Sequence, residues 1–138
     1  MHVSHKIKPL IASYNMKGSI LKAVNHHPYL GVEITKDMNW AYHINQISNK
    51  ANKVLGLLRR NLHSCSKPIK EVAYKTLVRS KLEYAAAVWD PYHIKHKRSL
   101  EKIQRRAARF VLNDYNKKSS VTQMLSDLHW ESLETRRT

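Results

Sequence analysis

Trp40, Ile44, Ile47, Ala51, Val54, Leu55, Leu58 and Leu62 recur every three or four residues. At about 100° per residue they fall within one arc of roughly 100° over about six turns. No other arrangement of backbone keeps these side chains on one side, so a long helix with a buried face is the strongest constraint on the fold. Asn39, immediately upstream, suits the N-cap. Residues 41–62 contain no acid, so the solvated side of this helix is basic or neutral throughout.

The pattern before residue 37 is different. Lys17-Gly18 separates two short segments, "IASYNM" and "SILKAV", and Gly18 can take the positive φ that a tight hairpin needs. "MHVSH" reads as extended. "YLGVEI" after Pro28 reads as a further strand, rich in β-branched and aromatic residues. The expectation is a small antiparallel sheet in 1–36.

After the first helix, Ser66 and Pro68 open a second one that runs through "EVAYKTLVRSKLEYAAAVW" to Asp90-Pro91. Apolar residues occur on nearly all its faces, which predicts the central helix of the bundle. A third helix is expected from about Arg98 to Leu112, with Leu100, Ile103, Ala107, Phe110 and Val111 on its inner face. Ser120 with Gln123 has capping-box spacing, and Ser132 suits a last cap. That last helix holds barely a turn, so the chain is expected to be cut short there. The fold class is α+β, mostly α: an N-terminal hairpin region (1–36), a helical bundle (37–113) and short C-terminal helices (114–138).

Composition narrows the function. Lys and Arg number 25 against 10 Asp and Glu, a formal charge of +15 with pI near 10.1. That excess points to nucleic acid or an anionic surface as partner. Cys65 is the only cysteine, so no internal disulfide can form and a reducing setting is expected, in the nucleus or cytoplasm and not secreted. No apolar run approaches the roughly 18 residues of a membrane span.

Chemistry-bearing clusters are sparse. The acids are scattered, with no Asp-Asp or Asp-x-Asp, and only Glu131 and Glu134 are three apart. Polymerases and nucleases need carboxylates that converge on metal ions, so no catalytic or metal-binding residue is nominated. His93 with His96, and His63 with Cys65, fall short of the four ligands of a structural zinc site. They read as loop residues, as does Cys65 considered as a nucleophile. Gly18, Gly31 and Gly56 are too far apart for a phosphate loop or dinucleotide fingerprint.

The basic positions carry the signal. Residues 40–118 hold 18 Lys and Arg and 5 acids. Lys50, Lys53 and Arg60 project from the first helix, with Arg59 on the flank of its apolar arc. Lys75, Arg79 and Lys81 lie on the second, and Lys102, Arg105, Arg106 and Arg109 on the third. A merely solvated face mixes signs through i,i+4 pairs; the third helix offers only Glu101 for this. Cations gathered on neighbouring helices can neutralise phosphates, and arginine adds a planar fork that matches phosphate oxygens.

Three blocks are more specific together than apart. "YLGVEITKDMNWAYHINQISNKANKVLGLLRRNL", "KEVAYKTLVRSKLEYAAAVWDPY" and "LEKIQRRAARFV" followed by "SSVTQMLSDLHWESLETRR" resemble, in this order, the region after the catalytic palm in reverse transcriptases of non-LTR (LINE-type, jockey-like) retrotransposons. The resemblance spans essentially the whole chain. It implies that Tyr29, Leu30 and Gly31, with Val32, form the hairpin of the primer-grip region at the palm–thumb junction. It implies further that the helices near 40–62 and 67–89 are thumb-like and clamp a primer–template duplex, RNA–DNA or RNA, and that "IQRRAARF" follows the thumb.

In that family the magnesium-binding aspartates lie upstream, in a Tyr-Ala-Asp-Asp type motif that this chain lacks. The expectation is therefore a non-catalytic piece of a polymerase, needing no cofactor itself and separated from its palm and fingers. The alternative is a helical interaction module, or a relic with no function, that self-associates through Trp40, Trp89 or Leu57. Binding to anionic lipid would draw on the same charges, but the apolar arcs are sized for a core.

Overall fold

The structure, a computed structural model, describes residues 1–4, 6–8 and 12–137. It divides into two compact units, Met1–His43 and Ile44–Thr138.

Among the described residues the first unit contains two separate antiparallel hairpins. Strands β1 (Asn15–Met16) and β2 (Ser19–Ile20) pair Met16 with Ser19, and β3 (His26–Tyr29) and β4 (Val32–Thr35) pair Tyr29 with Val32. Each turn has two residues with positive φ: Lys17 (51°) with Gly18 (81°), and Leu30 (47°) with Gly31 (82°). Positive φ at both positions is the type I′ turn, whose twist matches that of paired strands. The hairpin at Lys17-Gly18 is thus where the sequence puts it, whereas "YLGVEI" is a strand end, a turn and a second strand instead of one continuous strand. The extended readings of "MHVSH" and "IASYNM" reach His5 and Ile11, which lie outside the described residues. Met1–Ser4 form no strand.

Asn39 caps α1 (Ala41–Asn61) as expected, its Oδ1 accepting the Ala41 N–H at 2.9 Å. His43, in the first turn of α1, accepts the Glu33 amide through Nδ1 at 3.1 Å. That bond ties the helix start to β4 within the first unit.

The second helix of the sequence reading is broken. It comprises α2 (Lys67–Tyr74), a π-helical turn (Lys75–Arg79), α3 (Ser80–Glu83) and α4 (Ala86–Trp89). Within it Thr76 and Ser80 donate their hydroxyls to the carbonyls of Val72 (2.8 Å) and Thr76 (2.5 Å), a back-bonding that competes for helix acceptors and bends helices. At Tyr84 the backbone leaves the helix and Ala85 takes a left-handed φ of 52°. The indole of Trp89 donates to the Tyr84 carbonyl at 2.8 Å, using an acceptor exposed by the break.

The central element is α5 (Ile94–Leu112), not this broken helix. Helices α2, α6 (Val121–Asp127) and α7 (Leu133–Arg137) all pack on α5, so residues 114–138 belong to the same unit as the bundle. The apolar residues that suggested a central role for the second helix are partly outside: Val72, Leu77, Tyr84 and Val88 are exposed. α5 ends on Asn113 at φ 54°, with Asp114 N–H on the Arg109 carbonyl (3.1 Å) and Asn113 N–H on Phe110 (3.3 Å), a Schellman motif with Asn at the left-handed position. Ser120 accepts the Gln123 amide at 3.4 Å, but the Gln123 side chain turns to Asp127 instead of completing the box. Ser132 caps α7 through the Thr135 amide at 3.0 Å.

Gln104 sits at the middle of the bundle, fully buried. Its Oε1 accepts the Tyr74 hydroxyl at 3.0 Å and its Nε2 donates to the Glu131 carbonyl at 2.8 Å. Tyr74 stacks on Trp130 with centroids 4.5 Å apart, and the Trp130 indole donates to Glu71 at 3.1 Å. Burial pushes the Tyr74 phenol far up, so it stays a neutral donor. Replacing Gln104 by Leu strands the Tyr74 hydroxyl and the Glu131 carbonyl, at roughly 1–3 kcal/mol for each group left unpaired. The measurement is urea unfolding: the Gln104→Leu midpoint should fall, with Tyr74→Phe recovering part of the loss in the double variant.

Lys75, at 2.6 Å, and the Trp130 indole hold the Glu71 carboxyl below its ordinary value of 4.5. A carboxyl depressed by folding stabilises fully above its unfolded value and loses that contribution as pH falls through the folded one. Glu71→Gln should therefore flatten the decline in melting temperature below about pH 4.5 while changing the neutral-pH value less. An acid limb as steep as the wild type's would show that Glu71 does not carry it.

Candidate nucleic-acid interface

The solvent side of α5 is a continuous cationic stripe. With Leu100 at zero and about 100° per residue, Arg105, Arg98, Arg109, Lys102, Lys95 and Arg106 fall between about 140° and 240°. The buried residues Leu100, Ile103, Gln104, Ala107, Ala108, Phe110 and Val111 occupy the opposite side. The acid of this helix, Glu101, lies outside the stripe at about 100° and accepts the Glu134 amide at 3.2 Å. Lys95 was missed from sequence because α5 starts at Ile94, four residues before the expected start. Arg98 stood at that expected start and was not nominated, although the same periodicity places it in the stripe.

The nominated cations are not equivalent. Lys102, Arg105 and Arg106 are exposed. Arg106 donates to Asn52 Oδ1 of α1 at 3.1 Å, and Arg105 reaches Thr122 Oγ1 of α6 at 3.4 Å. Both acceptors are neutral, so both charges stay available.

Arg109 differs. Its guanidinium donates to three carbonyls, Asp114 (3.3 Å), Asn116 (2.8 Å) and Ser119 (3.3 Å). The Asn116 oxygen also accepts the Ser119 amide at 3.2 Å, and the guanidinium ties all three oxygens to one point. The arginine expected to face phosphate is instead the clasp of a loop.

Lys75 and Arg79 are likewise engaged. Lys75 lies 2.6 Å from Glu71, and Arg79 4.0 Å from Glu83, whose carboxylate also holds Arg136 at 2.5 Å. These local pairs reduce the field that the second helix was expected to contribute, leaving Lys81 as the exposed cation of the three named there.

On α1, Lys50, Lys53 and Arg60 are all exposed. Around the helix, Arg60 and Lys53 lie about 80° and 100° from Asn52, the residue that meets Arg106, whereas Lys50 lies about 160° away. Arg60 and Lys53 thus extend the α5 stripe onto α1, and Lys50 faces elsewhere. In the first unit, Tyr29 and Leu30 project from the β3–β4 turn, both exposed, with Gly31 supplying the positive φ.

Among the described residues no group of three or more His, Cys, Asp or Glu side chains is placed to hold a metal ion. His93 and His96 form an edge-on ring pair at 6.1 Å, and burial is the main cause that lowers the pKa of His96. His63 Nδ1 donates to the Arg60 carbonyl at 3.2 Å, and Cys65 is a half-buried free thiol. Glu134 pairs with Lys97 at 2.6 Å. Among the described residues no helix is long and apolar enough to cross a membrane.

Compared with known protein families, with curated proteins and with solved structures, the chain matches none.

Arg109→Gln should cost about 1.5–3 kcal/mol, the usual loss for bonds from a charged donor. It should also speed amide exchange at Lys118 and Ser119, whose protection depends on the ordered loop. Unchanged exchange there would show that the loop holds itself.

Proposed function

We propose that this chain grips the phosphate backbone of a nucleic acid duplex through the α5 stripe and its extension onto α1, without reading bases and without catalysing a reaction itself. The observation that carries this is the stripe: Lys95, Arg98, Lys102, Arg105 and Arg106 share about 100° of one helix with no acid among them. Uncompensated cations on a rigid helix release counterions when they meet phosphates, which supplies affinity without sequence preference.

The resemblance to the thumb region of non-LTR retrotransposon reverse transcriptases supports the same ligand, an RNA–DNA or RNA duplex, and makes Tyr29, Leu30 and Gly31 a primer-grip-like hairpin. On this basis the chain is a non-catalytic relative of a polymerase thumb whose natural partners are the palm and fingers. The single cysteine suits the reducing nucleus or cytoplasm.

The test is a titration of an RNA–DNA primer–template at several salt concentrations. About four to six phosphate contacts give a log–log slope of roughly −4 to −5. Charge reversal at Lys102, Arg105 and Arg106 together should remove about 2–3 from that slope and weaken binding at least tenfold at ~50 mM salt, equally for unrelated sequences. A flat salt response in the wild type would overturn duplex binding.

A second possibility, self-association, draws on the exposed Val72, Leu77, Tyr84 and Val88. Of the residues expected to drive it, Trp89 is fully buried, and only Leu57 is clearly exposed. Sedimentation that does not change with protein concentration would exclude it.

A further inference from the structure

The C-terminal end of α1, the start of α2 and the end of α5 line a half-open cavity of about 400 Å³. Arg59, Arg60, His63 and Lys70 line it with two aromatic rings, Phe110 and Tyr115, and no carboxylate does. The Arg59 guanidinium lies over the Tyr115 ring at 5.0 Å, and the Lys70 ammonium over Phe110 at 5.5 Å.

Cations in the last turn of a helix favour its carbonyl end, and that alone accounts for Arg59 and Arg60. It does not account for Lys70, which enters from another helix and is only 3% exposed. Lys70 begins the row Lys70, Tyr74, Val78 and Leu82, spaced by four and all buried. Among the described residues its ammonium has no carboxylate and no hydrogen-bond acceptor. The stem is buried while the ammonium opens on the cavity, and a partly desolvated ammonium loses hydration that a ring face restores only in part. An anion in the cavity would complete the compensation.

We propose that this cavity binds a phosphate monoester. An internal backbone phosphate carries one charge and continues on both sides. A terminal phosphate carries nearly two at neutral pH and ends in three acceptor oxygens. A half-open pocket on which several cations converge suits the second. Arginine forks and the Lys70 ammonium bind the oxygens, and His63, whose Nδ1 is committed to the Arg60 carbonyl, offers Nε2 when protonated. Tyr115 and Phe110 supply faces on which an attached base can stack. The phosphate could be the 5′ end of a nucleic acid strand or belong to a free nucleotide; the chemistry is the same. Arg60 belongs both to the cavity and to the extension of the stripe onto α1, but the other lining residues lie outside that surface, so the cavity can bind phosphate when the charges of α5 are removed.

The experiment compares the full chain with Lys70→Met, which keeps the stem and removes the charge. Replacing an unpaired buried charge by an apolar group is neutral or stabilising, so this variant should melt at or above the wild-type temperature. Two arms distinguish the sources. In the first, duplexes with a 5′-phosphate and a 5′-hydroxyl are titrated by fluorescence anisotropy. In the second, adenosine monophosphate and inorganic phosphate are titrated by calorimetry.

A gain of about tenfold for the 5′-phosphate, as expected for charge-assisted bonds, assigns the pocket to strand ends. Calorimetric binding without that gain assigns it to free nucleotides. Either result supports the pocket if Lys70→Met abolishes it. Equal binding of both duplexes with no heat from either small ligand overturns it, as does a Lys70→Met protein that binds phosphate like the wild type. Because charge reversal at Lys102, Arg105 and Arg106 leaves the pocket intact, loss of duplex binding and loss of the pocket are separate outcomes.

Discussion

Gln104 is a primary amide in the middle of an apolar bundle, and the helical unit is organised around satisfying it. Its oxygen takes the Tyr74 hydroxyl from α2 and its nitrogen gives to the Glu131 carbonyl before α7. Two elements far apart in sequence are therefore fixed to α5 in direction as well as in contact. Apolar packing alone tolerates rotation and slippage; a buried amide with both ends engaged does not. The stacked Tyr74–Trp130 pair and the Trp130–Glu71 bond extend this fixed geometry outwards. Near the surface, Arg136 on Glu83 and Arg137 on Asp90 (2.8 Å) fasten α7.

A rigid α5 is what gives its outer face meaning. A cationic stripe on a mobile helix would be a diffuse field, whereas one held by seven buried residues has fixed spacing. The same helix also limits what its charges can do. Arg109 lies in the middle of the stripe yet serves the 114–119 loop, because a guanidinium beside three carbonyls has nearer partners than any ligand.

The sequence was legible where one periodic pattern decided the outcome. The arc from Trp40 to Leu62, the Asn39 cap, the Lys17-Gly18 turn and the inner face of α5 follow directly from residue spacing. It was misleading where tertiary contacts overrode pattern. Ile69 and Val72 are exposed while Lys70 between them is buried, the reverse of binary patterning, so neither the broken second helix nor the basic cavity could be read from hydropathy. Spacing shows that a cation points away from a core, but not whether an acid or carbonyl waits beside it. Lys75, Arg79 and Arg109 were therefore indistinguishable from Lys102 and Arg106. The first hairpin showed its glycine turn plainly, whereas the second hid it, because Leu30 at positive φ looks like a strand residue.

The π-helical turn at Lys75–Arg79 has a geometric effect on everything after it. Residues four apart drift by about 40° per step around an ordinary helix, so a row such as Lys70, Tyr74, Val78 and Leu82 would wind off its neighbour. A turn closed by wider i→i+5 bonds winds more slowly and takes up that drift. The segment behaves as a phase correction, holding four buried positions on one line. Both the hydroxyl that reaches Gln104 and the ammonium that enters the basic cavity hang from that line.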